Sequence, residues 1–178
     1  MWRYRIRCVI ILDMNVKLID FQLAQAEIQR ELAKLRGSKY ATVGIHEDAG
    51  EHPDSGMTNA QLGAKLNFGD ETNTLFGHPA PIPPRPWLIP GVESATPDVI
   101  DTIASGIEKG LPTDQIMEQV GAFAAGAVQQ YMTDLQQPPN SAYTIAQKGS
   151  SNPLIDTGAL RASVTYKVTN EKPDEGIL

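Results

Sequence analysis

Six prolines crowd into twelve residues: Pro79, Pro81, Pro83, Pro84, Pro86 and Pro90. Each fixes φ near −65° and removes a backbone donor, so neither a helix interior nor a central strand can run through them. The spacing predicts an irregular segment over 69–92. Regular structure must therefore be built on either side of it.

On the N-terminal side, Trp2, Tyr4, Ile6, Cys8, Ile10 and Leu12 alternate with Arg3, Arg5 and Arg7, the period of an edge strand. Met14 equally suits the start of the core protein, which would make residues 1–13 an appended extension; both readings stand. Phe21, Ala24, Ile28, Leu32 and Leu35 mark one face of a helix over Asp20–Arg36, with Asp20 as N-cap and Gly37 as stop. Ala41, Val43 and Ile45 predict a strand over Lys39–His46. The acidic stretch Glu47–Met57 lacks apolar anchors, so a mobile loop is expected there. Thr58 and Gln61 form the signature of a capping box opening a helix to about Phe68.

Beyond the prolines, Thr96-Pro97-Asp98 reads as an N-cap with Pro at the first helical position, and Val99, Ile103 and Ile107 as the buried face up to Gly110 and Pro112. Thr113 is expected to cap the longest helix, with Ile116, Val120, Phe123, Ala127, Tyr131 and Leu135 inward, halted by Pro138-Pro139. Gly121, Ala122, Ala125 and Gly126 offer a flat strip for close approach of another backbone. Val164, Tyr166 and Val168 alternate as a terminal strand. The order predicts an α+β fold: a small, mostly antiparallel sheet against two to three helices, with long loops. The 178 residues suit a single domain over 14–178, with 1–13 as an appendage.

The first 13 residues, with three Arg against Asp13, carry a net +2, which leaves −8 on the rest. Such an acidic body disfavours sequence-independent grip on a phosphate backbone. The longest strongly apolar run, Cys8–Leu12, is too short to cross a membrane or to act as a secretory signal. A single cysteine, Cys8, excludes an internal disulfide and suits a reducing compartment.

The sharpest catalytic-looking string is Leu154-Ile155-Asp156-Thr157-Gly158-Ala159. Aspartic peptidases carry Asp-Thr-Gly, and a homodimer would pair two such carboxylates around one shared proton. Only 20 residues follow Gly158, however, too few for the sheet that such a subunit needs. The plainer reading makes Asp156 or Thr157 the cap of one helical turn before the last strand. His46, His52 and His78 match no metal-ligand spacing and read as loop residues. Cys8 has no His or Asn arranged around it in sequence, and the glycines form no phosphate-binding pattern. No cofactor or metal is expected. Pro81-Ile82-Pro83-Pro84 reads as a stiffened extended segment.

Three segments, taken in order, say more. They are Val43-Gly44-Ile45 followed by Met57–Gly69; then Ile82-Pro83-Pro84-Arg85-Pro86-Trp87-Leu88; then Tyr143–Gly149 with Pro153-Leu154-Ile155-Asp156-Thr157-Gly158-Ala159-Leu160-Arg161-Ala162-Ser163-Val164. Together they resemble the tail-completion (head–tail joining, neck) proteins of long-tailed bacteriophages and the related virion-morphogenesis proteins of Mu-like phages. The resemblance spans residues 39–168. Asn67 stands where that family commonly has Glu, and Trp87 where it has Phe.

The resemblance implies a non-enzymatic structural subunit in the virion neck, assembled in the host bacterial cytoplasm as a closed ring of six or twelve copies. Its partners would be the portal or head-completion protein and the tail terminator or tail tube protein, with DNA only as passing cargo and no membrane. A tail-terminator or minor capsid role is the alternative, and the peptidase reading a distant third, since that family carries Asp-Thr-Gly without proteolysis. Within this frame Ile82, Arg85, Trp87, Leu88 and Ile89 are the expected interface, because a stiff segment loses little entropy on docking and aromatic and Arg side chains dominate interface energetics.

Overall fold

The computed structural model of the protein describes residues 39–173. The expected strand over Trp2–Leu12 and helix over Asp20–Arg36 lie outside the described residues. Within them the fold is α+β.

Strand β1 (Tyr40–Gly44) pairs antiparallel with β4 (Thr165–Thr169), Tyr40 opposite Thr169 and Gly44 opposite Thr165. His46 ties the two together just past β1, its ring nitrogens each 3.1 Å from a hydroxyl, Thr42 Oγ1 and Thr165 Oγ1. A single 3-10 turn, Glu47–Ala49, follows. Helix α1 (Asn59–Phe68) opens on the full capping box: Thr58 Oγ1 accepts from Gln61 N, and Gln61 Oε1 accepts from Thr58 N.

The acidic loop between them is anchored by polar groups. His52 N donates to Met57 O at 2.8 Å, Asn59 N donates to Gly50 O at 3.0 Å, and the buried Asn59 amide donates to Ala49 O at 3.0 Å. Lys167 reaches Asp48 at 2.7 Å from across the sheet. These polar bonds give the loop anchors that a count of its apolar residues does not register.

The proline-rich stretch departs most from expectation. Residues 70–82 form a hairpin whose inner strands are β2 (Thr74–Leu75) and β3 (His78–Pro79). Phe76 and Gly77 make its two-residue turn, both at positive φ (52° and 78°), the hand that matches the twist of paired strands. The pairing survives because Pro79, Pro81 and Pro83 alternate with residues that keep their donors: Ala80 N bonds to Asn73 O and Ile82 N to Asp70 O, both at 2.9 Å. Neighbouring amides on an extended chain point to opposite sides, so the prolines fall on the unpaired side of an edge strand.

Helix α2 (Leu88–Ser94) follows, with Pro90 in its first turn, where a missing N–H costs nothing. The chain stays helical in backbone angles at Ala95 and runs into α3 (Thr96–Glu108), so Ala95 rather than Thr96 is the capping residue. Helix α4 (Thr113–Asp134) is the longest, then come α5 (Ala142–Lys148), the single turn α6 (Ala159–Ala162) and β4.

α4 buries Ile116, Gly121, Ala124, Ala125, Val128 and Met132. The expected face was Ile116, Val120, Phe123, Ala127, Tyr131 and Leu135, so the buried stripe is turned by about one residue and Phe123 is half exposed, at 49%. The small residues explain the turn. Gly121 lies so close to the Tyr166 ring that a Cβ there would stand 2.4 Å from Cδ2. Of the expected flat strip, Gly121 and Ala125 are buried, while Ala122 and Gly126 face out. The central core is Trp87, Val128, Met132, Leu154, Leu160 and Val164, with Val43, Ile45, Leu62 and Leu66 packed against it.

Candidate functional site

The expected interface segment turns partly inward. Trp87 is buried, as is Arg85 at 4% exposure; Ile82 and Leu88 are half-buried, and only Ile89 is well exposed, at 47%. Of the five expected interface residues, Arg85 and Trp87 are thus packed within this chain rather than lying on its surface. The physical reason lies elsewhere in the chain. Arg85 Nε donates to Pro138 O at 2.8 Å and Nη2 to Pro139 O at 3.0 Å, in the connection that follows α4, and Arg85 N caps Leu66 O at 2.9 Å. Burial alone pulls the Arg85 guanidinium below its ordinary pKa.

Trp87 forms the matching joint to α1. Its indole Nε1 donates to Gly63 O at 3.1 Å, while Asn67 Oδ1 accepts from Trp87 N (3.0 Å) and Leu88 N (3.3 Å), capping α2 from the end of α1. Gly63 is required by contact: a Cβ there would stand 2.7 Å from Ile45 Cδ1 and 3.2 Å from Trp87 Cζ2, with Leu160 Cδ1 at 3.8 Å. The segments 43–45, 57–69, 82–88 and 153–160 thus meet at one buried point.

Asp156-Thr157-Gly158 sits at the start of α6. Gly158 takes a left-handed conformation (φ 87°) as its cap, and Thr157 Oγ1 accepts from Ala159 N at 3.4 Å. Asp156 and Thr157 are exposed. The three histidines are dispersed: His46 bridges the β1–β4 sheet, His52 accepts from Asp54 N in the acidic loop, and His78 lies in β3. Among the described residues no three His, Cys, Asp or Glu side chains gather as metal ligands. Cys8 lies outside the described residues.

A cleft of about 960 Å³ opens between the 70–85 segment on one side and α5 with the 153–160 turn on the other. Leu62, Leu66, Ile82, Leu154 and Leu160 contribute apolar lining, and Arg85 and Lys148 face Asp54 and Asp156 as its charges. Lys148 Nζ donates to Asn152 O at 2.7 Å, and burial holds its pKa below the usual lysine value. Phe76, 82% exposed at the hairpin turn, meets Tyr143 of α5 edge-on at 6.4 Å, so an aromatic pair joins the two walls.

The sequence reading assigned no role to Tyr143, Lys148 or Phe76. The local signal was present: Ser141 accepts from Thr144 N and Gly149 ends the helix at φ 65°, bracketing α5. Among the described residues no helix is long and apolar enough to cross a membrane. Comparison with protein-family models, with curated proteins and with solved structures gives no match.

Proposed function

We propose that this chain is a structural virion protein of a tailed bacteriophage, a neck or tail-completion subunit that forms a closed ring between portal and tail. The reading is carried by one observation. All three segments through which the sequence resembles that family contribute to the buried joint around Trp87 and Gly63. Residues shared for such a reason specify a scaffold.

The surface supports the same reading. Ile100, Ala104 and Ile107 lie one turn apart on α3, and Ile100 and Ile107 are 59% and 43% exposed. They continue the arc that the same helix buries through Gly106. An apolar strip of this kind marks a contact surface, and in a ring it meets the neighbouring copy through a heterologous contact that closes on itself.

The test is genetic and structural. Deleting the gene from the phage should leave DNA-filled, tailless heads, and the chain supplied in trans should restore joining. Cryo-EM of the neck should then show a ring of this fold, with Ile100 and Ile107 between copies. Normal head–tail joining without the gene, or a two-fold dimer in the particle, overturns the proposal.

A further inference from the structure

The hairpin that walls the cleft is fastened in two very different ways at its two ends. At the base, Asp70 and Ile82 pair through two backbone bonds of 2.9 Å. Lys65 of α1 reaches Asp70 at 3.0 Å and Asn73 at 2.8 Å. Ala80 N donates to Asn73 O, and Asn73 Nδ2 donates to Ala80 O. Beyond that pair, residues 74–79 are all exposed. Among the described residues no hydrogen bond or ion pair joins them to α5 or to the 153–160 turn. What crosses the cleft at this end is the Phe76 ring, edge-on to Tyr143 at 6.4 Å.

The turn alone does not explain Phe76. It stands at φ 52°, followed by Gly77 at φ 78°, the two left-handed positions of the turn. Asn or Gly adopts that conformation at little cost, and a bulky ring does not. At 82% exposure the ring recovers little of that cost by burial within its own chain. Its gain is the contact with Tyr143, which is itself half exposed. Such an edge-to-face pair favours the joined over the separated state by only about two- to tenfold. The arm it secures is a two-stranded ribbon, marginally stable by itself, running roughly 10 Å from the Asn73–Ala80 pair to the turn.

We infer that the hairpin is a strap across the cleft, pinned at its base by Lys65 and latched at its tip by Phe76 against Tyr143. Released, the tip swings away from α5 as a paired ribbon and widens the mouth of the space of about 960 Å³. Latched, it narrows that mouth. One aromatic contact thus sets access to the cleft. The device belongs to the single chain and does not depend on the neck assignment.

The test is a distance measurement on the whole chain. With the native thiol removed by Cys8→Ser, spin labels at His78→Cys and Gln147→Cys, both exposed positions, report the gap between tip and α5 by pulsed dipolar spectroscopy. The expected distribution has two populations, the shorter in excess by about two- to tenfold. Phe76→Asn removes the ring and keeps a residue suited to φ 52°, so it should shift the balance toward the longer distance by about that factor. Tyr143→Ala should do the same from the opposite wall. Amide exchange at Ala80 and Ile82, whose N–H groups bond within the hairpin, should stay protected in both variants. The melting temperature of Phe76→Asn should not fall. A distribution that neither variant moves overturns the proposal. So does a shift accompanied by loss of protection at Ala80, which would mean that the hairpin frays rather than swings.

Discussion

Arg85 and Pro138 stand 53 residues apart in the chain and are joined by a hydrogen bond of 2.8 Å from the guanidinium Nε to the proline carbonyl. With the second bond to Pro139, this fastens the proline-rich segment to the connection between α4 and α5. The first prediction follows. Arg85→Ala removes a buried, charged donor from two part-buried carbonyls and should cost on the order of 2–3 kcal/mol of unfolding free energy. Urea denaturation checks it. An unchanged midpoint would mean that the fastening carries no weight.

Two glycines of α4 should respond to alanine in opposite directions. At Gly121 the new methyl group would stand 2.4 Å from Tyr166 Cδ2, and overpacking of that kind costs about 1–3 kcal/mol, more than the helical gain. At Gly126 there is no atom within 4 Å, so the helical gain of about 1 kcal/mol should appear whole. Melting temperatures of the two variants, measured side by side, decide this.

Asn67 supplies the acceptor that starts α2. Asn67→Ala should cost about 1 kcal/mol, as loss of a helix cap does, and Asn67→Asp should retain most of the stability because a carboxylate accepts the same two bonds. Thermal denaturation of both variants tests the role. Equal losses would show that side-chain volume, not the acceptor, matters.

His46 makes the fold sensitive to acid. Burial first, then Lys167, lowers its pKa from the ordinary 6.5, with Asp48 opposing. The unfolded chain therefore takes up a proton more readily than the folded one. Stability attributable to this group is unaffected above about pH 7.5 and falls as the pH drops through 6.5 and below. His46→Gln should flatten the pH dependence of the urea midpoint between pH 7.5 and 5.5. A wild-type curve already flat there would contradict the assignment. Asp70 acts lower on the scale: bonds from Thr72 and Lys65 bring its pKa down to about 2. Its contribution is present above the ordinary carboxylate value and disappears only as the pH falls toward 2.

Asp156→Asn separates a structural role for Asp-Thr-Gly from a catalytic one. Asp156 is exposed, and the acceptor for Ala159 N is Thr157 Oγ1 rather than its carboxylate, so stability should change by no more than about 0.5 kcal/mol. Under the neck proposal, the Asn variant should complement a phage lacking the gene. Loss of assembly with the fold intact would make the carboxylate functional.

What the sequence by itself determined is local. The capping box of Thr58 and Gln61 and the stop of α4 before Pro138 are set by hydrogen bonds and steric limits within a few residues of one another, and the alternation of β1 and β4 is written in consecutive side chains, though their pairing is long-range. The α+β class follows from their order. Tertiary structure decided the rest. The inward turn of Arg85 depends on carbonyls 53 and 54 residues away. The buried face of α4 was chosen by the closeness that Gly121 permits to Tyr166, where apolar periodicity alone favoured Phe123. The 70–82 hairpin rests on which side of an edge strand its prolines occupy, a question that arises only once Asn73 and Asp70 lie opposite. The cleft has no counterpart in sequence, because its walls come from segments about 60 residues apart that the fold alone brings face to face.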